Sequence, residues 1–111
     1  MSLQRCDWSV TDIEFSEIVQ FGKCIAEKDD VYKIILYSQR ITPRGIVTGF
    51  KICVVVNDGN PDEIESRIYV EYDLSVPFDV IVYTKEKWNI LCATPFSFAS
   101  RVEKMGKVIY G

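Results

Sequence analysis

Apolar residues Phe15, Ile18, Val19, Gly22, Ile25 and Ala26 recur at the spacing of one helical stripe. Thr11-Asp12-Ile13-Glu14 just upstream has the form of a capping box, so the pattern predicts an amphipathic helix from Thr11 to Glu27. Val31 to Tyr37 is then rich in β-formers, with Ile34 and Leu36 on one face and Lys33, Ile35 and Tyr37 on the other. Phe50 to Val56 reads as a buried second strand. Between them, Ser38 to Thr48 has no period and holds Pro43 and Gly45, which predicts a loop.

Asp58-Gly59 marks a turn, and Asn60-Pro61-Asp62-Glu63 supplies an N-cap, a first-turn proline and two acids. A second helix to about Leu74 follows, with Ile64, Ile68 and Tyr72 on one stripe. Val76 to Tyr83 is a third strand. Thr84 caps a short helix through Trp88 and Leu91, Thr94-Pro95 opens another that Gly106 closes, and Lys107 to Tyr110 is a last strand. The order αββαβααβ, over residues 1 to 111 as a single unit, predicts a small mixed β-sheet packed with helices, an α+β or mixed α/β fold.

Composition narrows this picture. With 111 residues, 48% of them hydrophobic, the chain can bury a core unaided. Cys6, Cys24, Cys53 and Cys92 are widely spaced and no histidine is present, which argues against a cysteine-based metal site. Cys24 and Cys53 fall in a helical and a strand pattern, so buried free thiols and a reducing cytoplasm are expected rather than a disulfide framework. No stretch is apolar enough for a membrane span or signal peptide. A net charge of -3 gives no footprint for DNA or RNA, and Arg40 with Arg44 reads as solvated loop charge, an anion site being the sharper alternative.

Lys33 to Tyr37 leading into Ser38-Gln39-Arg40, then Thr48-Gly49-Phe50-Lys51 opening an apolar run, then Pro77-Phe78-Asp79-Val80-Ile81-Val82, resembles the minimal nucleotidyltransferase domain family of the polymerase-beta-like superfamily. The closing segment from Lys85 to Tyr110 is similar as well, so the resemblance covers nearly the whole chain. In that family a Gly-Ser-Arg turn follows the first strand, and three carboxylates hold two Mg²⁺ ions on a nucleoside triphosphate. The metals neutralise the triphosphate and clamp the attacking and leaving oxygens.

Carried onto this sequence, the resemblance puts Gly49 and Lys51 where two carboxylates belong, and retains only Asp79. Ser38 and Gln39 replace Gly-Ser at the nucleotide or anion site, and Arg40 alone keeps its type. No metal ligand set is expected, and Lys51 is expected to pair with Asp79 across the sheet. No cofactor follows, unless an active enzyme recruits Mg²⁺ with a nucleoside triphosphate. The resemblance implies a catalytically degenerate binding or regulatory module of antitoxin type, with a helical HEPN-type partner or a homodimer. Two alternatives stand beside it: an active Mg²⁺-dependent nucleotidyltransferase, and a small-ligand-binding α/β domain.

Three bland readings complete the expectations. Asp58, Asp62, Glu63 and Glu65 serve a turn and a helix dipole. Trp88, Phe96 and Phe98 are core aromatics. The face carrying Gly49, Lys51, Cys53 and Val55, joined by Asp79, Ile81 and Tyr83 where the third strand follows the family register, is covered by the C-terminal helices, by Cys6 to Val10, or by a partner or second copy.

Overall fold

A mixed sheet in the order β3-β2-β1-β4 forms the middle layer of the computed structural model, which describes residues 13–111. Its strands are β1 (Val31–Ile41), β2 (Val47–Val56), β3 (Phe78–Thr84) and β4 (Lys107–Tyr110), and the helices are α1 (Phe15–Lys28), α2 (Pro61–Glu71), α3 (Lys85–Cys92) and α4 (Phe98–Met105). The chain is thus a small α+β domain in the expected element order. β2 pairs in parallel with β3 through the α2 crossover, whereas β1 is antiparallel to both β2 and β4.

Helices cover both faces. Ile34, Leu36, Ile52, Val54, Val56, Val80 and Val82 pack against Ile18, Phe21 and Ile25 of α1 and against Ile64, Ile68 and Tyr72 of the second-helix region. On the opposite face Ile35, Cys53 and Val55 pack under Trp88 of α3 and under Ala99 and Val102 of α4. Both faces of the central strands are therefore apolar, as strands buried on two sides require. Among the described residues, the C-terminal helices are what covers the second face; Cys6 to Val10 lie outside the described residues.

The caps explain where the helices begin. Asn60 accepts hydrogen bonds from the Asp62 and Glu63 backbone N–H groups at 3.0 and 3.2 Å, and Thr84 accepts one from Lys87 at 3.2 Å. In α1 the box is Glu14 with Glu17, not Thr11 with Glu14, so the helix starts at Phe15; Thr11 and Asp12 lie outside the described residues. Thr94-Pro95 does not open α4. Ser97 caps it instead, accepting from Ser100 N–H at 3.0 Å, and the preceding turn places Phe96 at φ 63° and 93% exposed, so Phe96 is not a core residue.

Cys24 is disulfide-bonded, against the expectation of a buried thiol, whereas Cys53 and Cys92 are free. That removes free-thiol usage as a ground for a reducing compartment. Among the described residues no helix is long and apolar enough to cross a membrane.

The stretch from Ser38 to Thr48 also departs from expectation. β1 continues to Ile41 and β2 starts at Val47, so most of the expected loop is a hairpin arm closed by Thr42 N–H donating to the Ile46 carbonyl at 2.8 Å. Gly45, at φ 88°, takes the left-handed position of that turn. Ser38 to Ile41 are exposed, so this half of β1 lacks the apolar alternation by which a buried strand announces itself.

Candidate functional site

Parallel pairing of β2 with β3 sets Lys51 directly beside Asp79. Residues paired across neighbouring strands project to the same face, so the two side chains emerge together, and Lys51 Nζ lies 4.0 Å from Asp79 Oδ2. The pair is open to solvent, with the Lys51 and Asp79 side chains 51% and 65% exposed.

A β-bulge brings β1 into the same site. Leu36 pairs with Ile52, but the next pair is Ser38 with Lys51, leaving Tyr37 as the extra residue. The inserted residue reverses the alternation, so Ser38 and then Arg40, which pairs with Gly49, join the face of Lys51 and Asp79. Without the bulge both would point toward the Ile34 and Leu36 side. Gln39 falls opposite Phe50 and faces away from the cleft. The positions expected to form a phosphate loop are therefore strand positions, and only Ser38 and Arg40 of the three reach the site.

Ser38, Arg40, Gly49, Lys51, Pro77 and Asp79 line a cleft of about 80 Å³. Pro77, which carries no ionisable group to mark it in the sequence, also belongs to the site. It forms the rim, and its carbonyl accepts the Phe50 N–H at 3.3 Å, which fixes the start of β3 against β2. Gly49 is buried beneath the cleft, and a Cβ there would lie 3.5 Å from the Pro77 carbonyl oxygen, an ordinary contact. A methyl group at position 49 fits.

Tyr37, edge-on to Phe98 with ring centroids 5.1 Å apart, has its phenol pushed up to about 12 by burial, with Cys53 and Asp79 adding to the shift. It stays neutral and adds no charge to the cleft. Two cations, one carboxylate and one hydroxyl then define the chemistry. That set can hold a small anion. It does not fit two divalent cations, since an ammonium stands 4.0 Å from the one carboxylate and position 49 offers no ligand. Among the described residues, no group of three or more His, Cys, Asp or Glu is placed to hold a metal.

Arg44 sits at the exposed hairpin tip, outside the cleft. Asp58 and Asp62 act locally: Asp58 accepts the Gly59 N–H at 2.8 Å, and Asp62 and Glu63 occupy the first turn of α2. No family model, curated protein or solved structure matches this chain.

Proposed function

We propose that this chain is a binding or regulatory module on a nucleotidyltransferase-like frame that does not catalyse nucleotidyl transfer. The observation that carries the reading is the 4.0 Å approach of Lys51 to Asp79, which sets an ammonium where the resembled family needs a metal-binding carboxylate. Gly49 removes the second ligand. What the cleft retains, Arg40, Lys51 and Ser38 beside a single carboxylate, suits an anionic group better than a cation. By the same resemblance, the partner class is a helical HEPN-type protein or a second copy.

Incubation with radiolabelled ATP, Mg²⁺ and candidate acceptors should give no metal-dependent label transfer, and Mg²⁺ alone should leave the melting temperature unchanged. Ligand binding to the native state must raise apparent stability, which makes the melt a direct readout. The double substitution Gly49→Asp with Lys51→Asp sets three carboxylates at positions 49, 51 and 79, and a Cβ at position 49 meets only ordinary contacts. That variant should gain a Mg²⁺-dependent rise in melting temperature. Label transfer by the unmodified protein would refute the reading, and a double variant that folds but ignores Mg²⁺ would remove the metal-site correspondence on which it rests.

A further inference from the structure

β4 begins at Lys107, which pairs with Leu36, so beyond that point Ser38 to Ile41 have a strand neighbour on one side only among the described residues. The direction of the free backbone groups follows from the register. Phe50 donates its N–H toward β3, to the Pro77 carbonyl, so its antiparallel pair with Gln39 is of the non-hydrogen-bonded kind. Gln39 N–H and C=O therefore face the open edge. Val47 likewise donates away from β1, to the Ile13 carbonyl, which turns the backbone groups of its partner Ile41 outward too.

Two adjoining grooves run beside this edge. One, of about 280 Å³, is lined by Tyr37, Phe98, Val102 and Met105, and the other, of about 210 Å³, shares Tyr37 and Met105 and reaches Gln39 and Lys107. Met105 is 85% exposed and Ile41 is 56% exposed. The space is where a strand extending β4 before Lys107 would lie, and the chain itself joins that line only after Gly106, on leaving α4. An open edge with an apolar groove beside it is the geometry that accepts an added strand.

Charge selects the occupant. Arg40 on the edge, Arg44 at its tip and Arg101 in the larger groove bring positive charge to the slot on a chain of net charge -3, and Lys107, which lines the smaller groove, adds a cation whose ammonium lies 4.6 Å from the Phe15 ring centroid. Among the described residues, the ion pairs involve other cations: Lys28, Lys33, Lys51 and Arg67. A second copy pairing edge to edge would bring the two arginine-bearing arms together. Nucleic acid would satisfy the charge but not the outward backbone groups or the apolar grooves.

We infer that the free edge of β1 from Ser38 to Ile41 is a docking slot for an extended, acidic segment of a partner protein, which adds as a strand and seats alternate apolar side chains against Tyr37 and Met105. The inference rests on the edge and its surroundings, and holds whether or not the cleft descends from a nucleotidyltransferase.

Fluorescence polarisation with a labelled, end-blocked hexapeptide alternating valine and glutamate tests it, against the same peptide with lysine for glutamate and a labelled oligothymidylate. The acidic peptide should bind and the lysine peptide should not. Gln39→Pro removes the outward N–H at a position where proline is compatible with an edge strand, and should weaken binding about fivefold or more, the worth of one lost hydrogen bond. Met105→Glu, at an exposed position, should weaken the acidic peptide without unfolding the domain, and melting curves of both variants verify that. Equal binding of both peptides, binding of oligothymidylate in preference to peptide, or an unaltered affinity in both folded variants would overturn the inference. Self-association in sedimentation that Gln39→Pro abolishes would overturn it as well, by giving the edge to a second copy.

Discussion

Trp88 donates its indole N–H to Glu103 Oε2 at 2.7 Å, tying α3 to α4 across the second face of the sheet. Lys33 Nζ of β1 donates to Oε1 of the same carboxylate at 2.8 Å. Trp88 is 1% exposed, so its N–H would have no water to turn to without this acceptor. One carboxylate thus fastens both C-terminal helices to the sheet. This fastening secures the helical cover over the face that carries the candidate cleft.

A pH dependence follows from that carboxylate. Burial works to raise the Glu103 pKa, but the hydrogen bonds from Lys33 and Trp88 outweigh it and hold the group below its ordinary 4.5. A folded-state pKa below the unfolded one stabilises the fold above the unfolded value, and that contribution fades as pH falls through the folded value. Glu103→Gln should therefore cost about 1 kcal/mol near neutrality, reduced from the usual charged hydrogen bond because a third of the side chain is exposed. The difference from the unmodified protein should shrink below about pH 4. Denaturant melts of both proteins at neutral and acid pH measure it, and a gap that stays constant through the acid range would contradict the assignment.

The Lys51 and Asp79 pair should contribute little to stability despite its place at the centre of the cleft. Both side chains are more than half exposed and their charged atoms are 4.0 Å apart. Lys51→Ala should change stability by less than about 1 kcal/mol, the range of surface ion pairs. Lys51→Asp should cost slightly more, because it sets two carboxylates side by side. A loss of several kcal/mol in the alanine variant would mean that the pair is structural.

Two glycines allow a sharp contrast. A Cβ at Gly106 would sit 2.7 Å from the Val102 carbonyl oxygen and would overlap Ile35, whereas a Cβ at Gly49 meets nothing closer than 3.5 Å. Gly106→Ala should destabilise by roughly 1 to 3 kcal/mol, as forced overpacking does. Gly49→Ala should be neutral or gain about 0.5 kcal/mol from the reduced freedom of the unfolded chain. For a domain of this length 1 kcal/mol moves the melting temperature by about 4 to 8 °C, so thermal melts resolve both signs.

How far these features were readable in advance depended on burial. β2 and β3 announce themselves because Phe50 to Val56 and Val80 to Val82 must satisfy two apolar layers or one; alternation assigns Lys51 and Asp79 to faces, but the pairing that sets them side by side is implied only by the family resemblance. Asn60, Thr84 and Ser97 act within their own first turn, although Thr94-Pro95 mimics a cap followed by a first helical residue and so masks Ser97. The bulge at Tyr37 left no local mark. Its position is fixed by long-range pairing with Lys51 and Ile52, and it decides which of Ser38, Gln39 and Arg40 reach the cleft. The open edge beyond Leu36 is hidden for the same reason, since it exists only because β4 begins at Lys107.

Phe96 combines two costs that rarely coincide. Its φ of 63° is a left-handed conformation that a bulky aromatic residue adopts reluctantly, and at 93% exposure its ring gains almost nothing from the core. The turn between α3 and α4 imposes the conformation, since Ser97 must donate its hydroxyl to the Leu91 carbonyl at 2.6 Å and accept at the α4 N-terminus. Asparagine tolerates that backbone, and glycine adopts it freely. Phe96→Asn and Phe96→Gly should each raise stability by about 0.5 to 1 kcal/mol, because strain is relieved and no packing is lost. Urea titration reads the change as a shift of the midpoint at constant slope. If both variants are instead less stable, the ring makes a stabilising contact in solution and the exposed conformation is not the resting one.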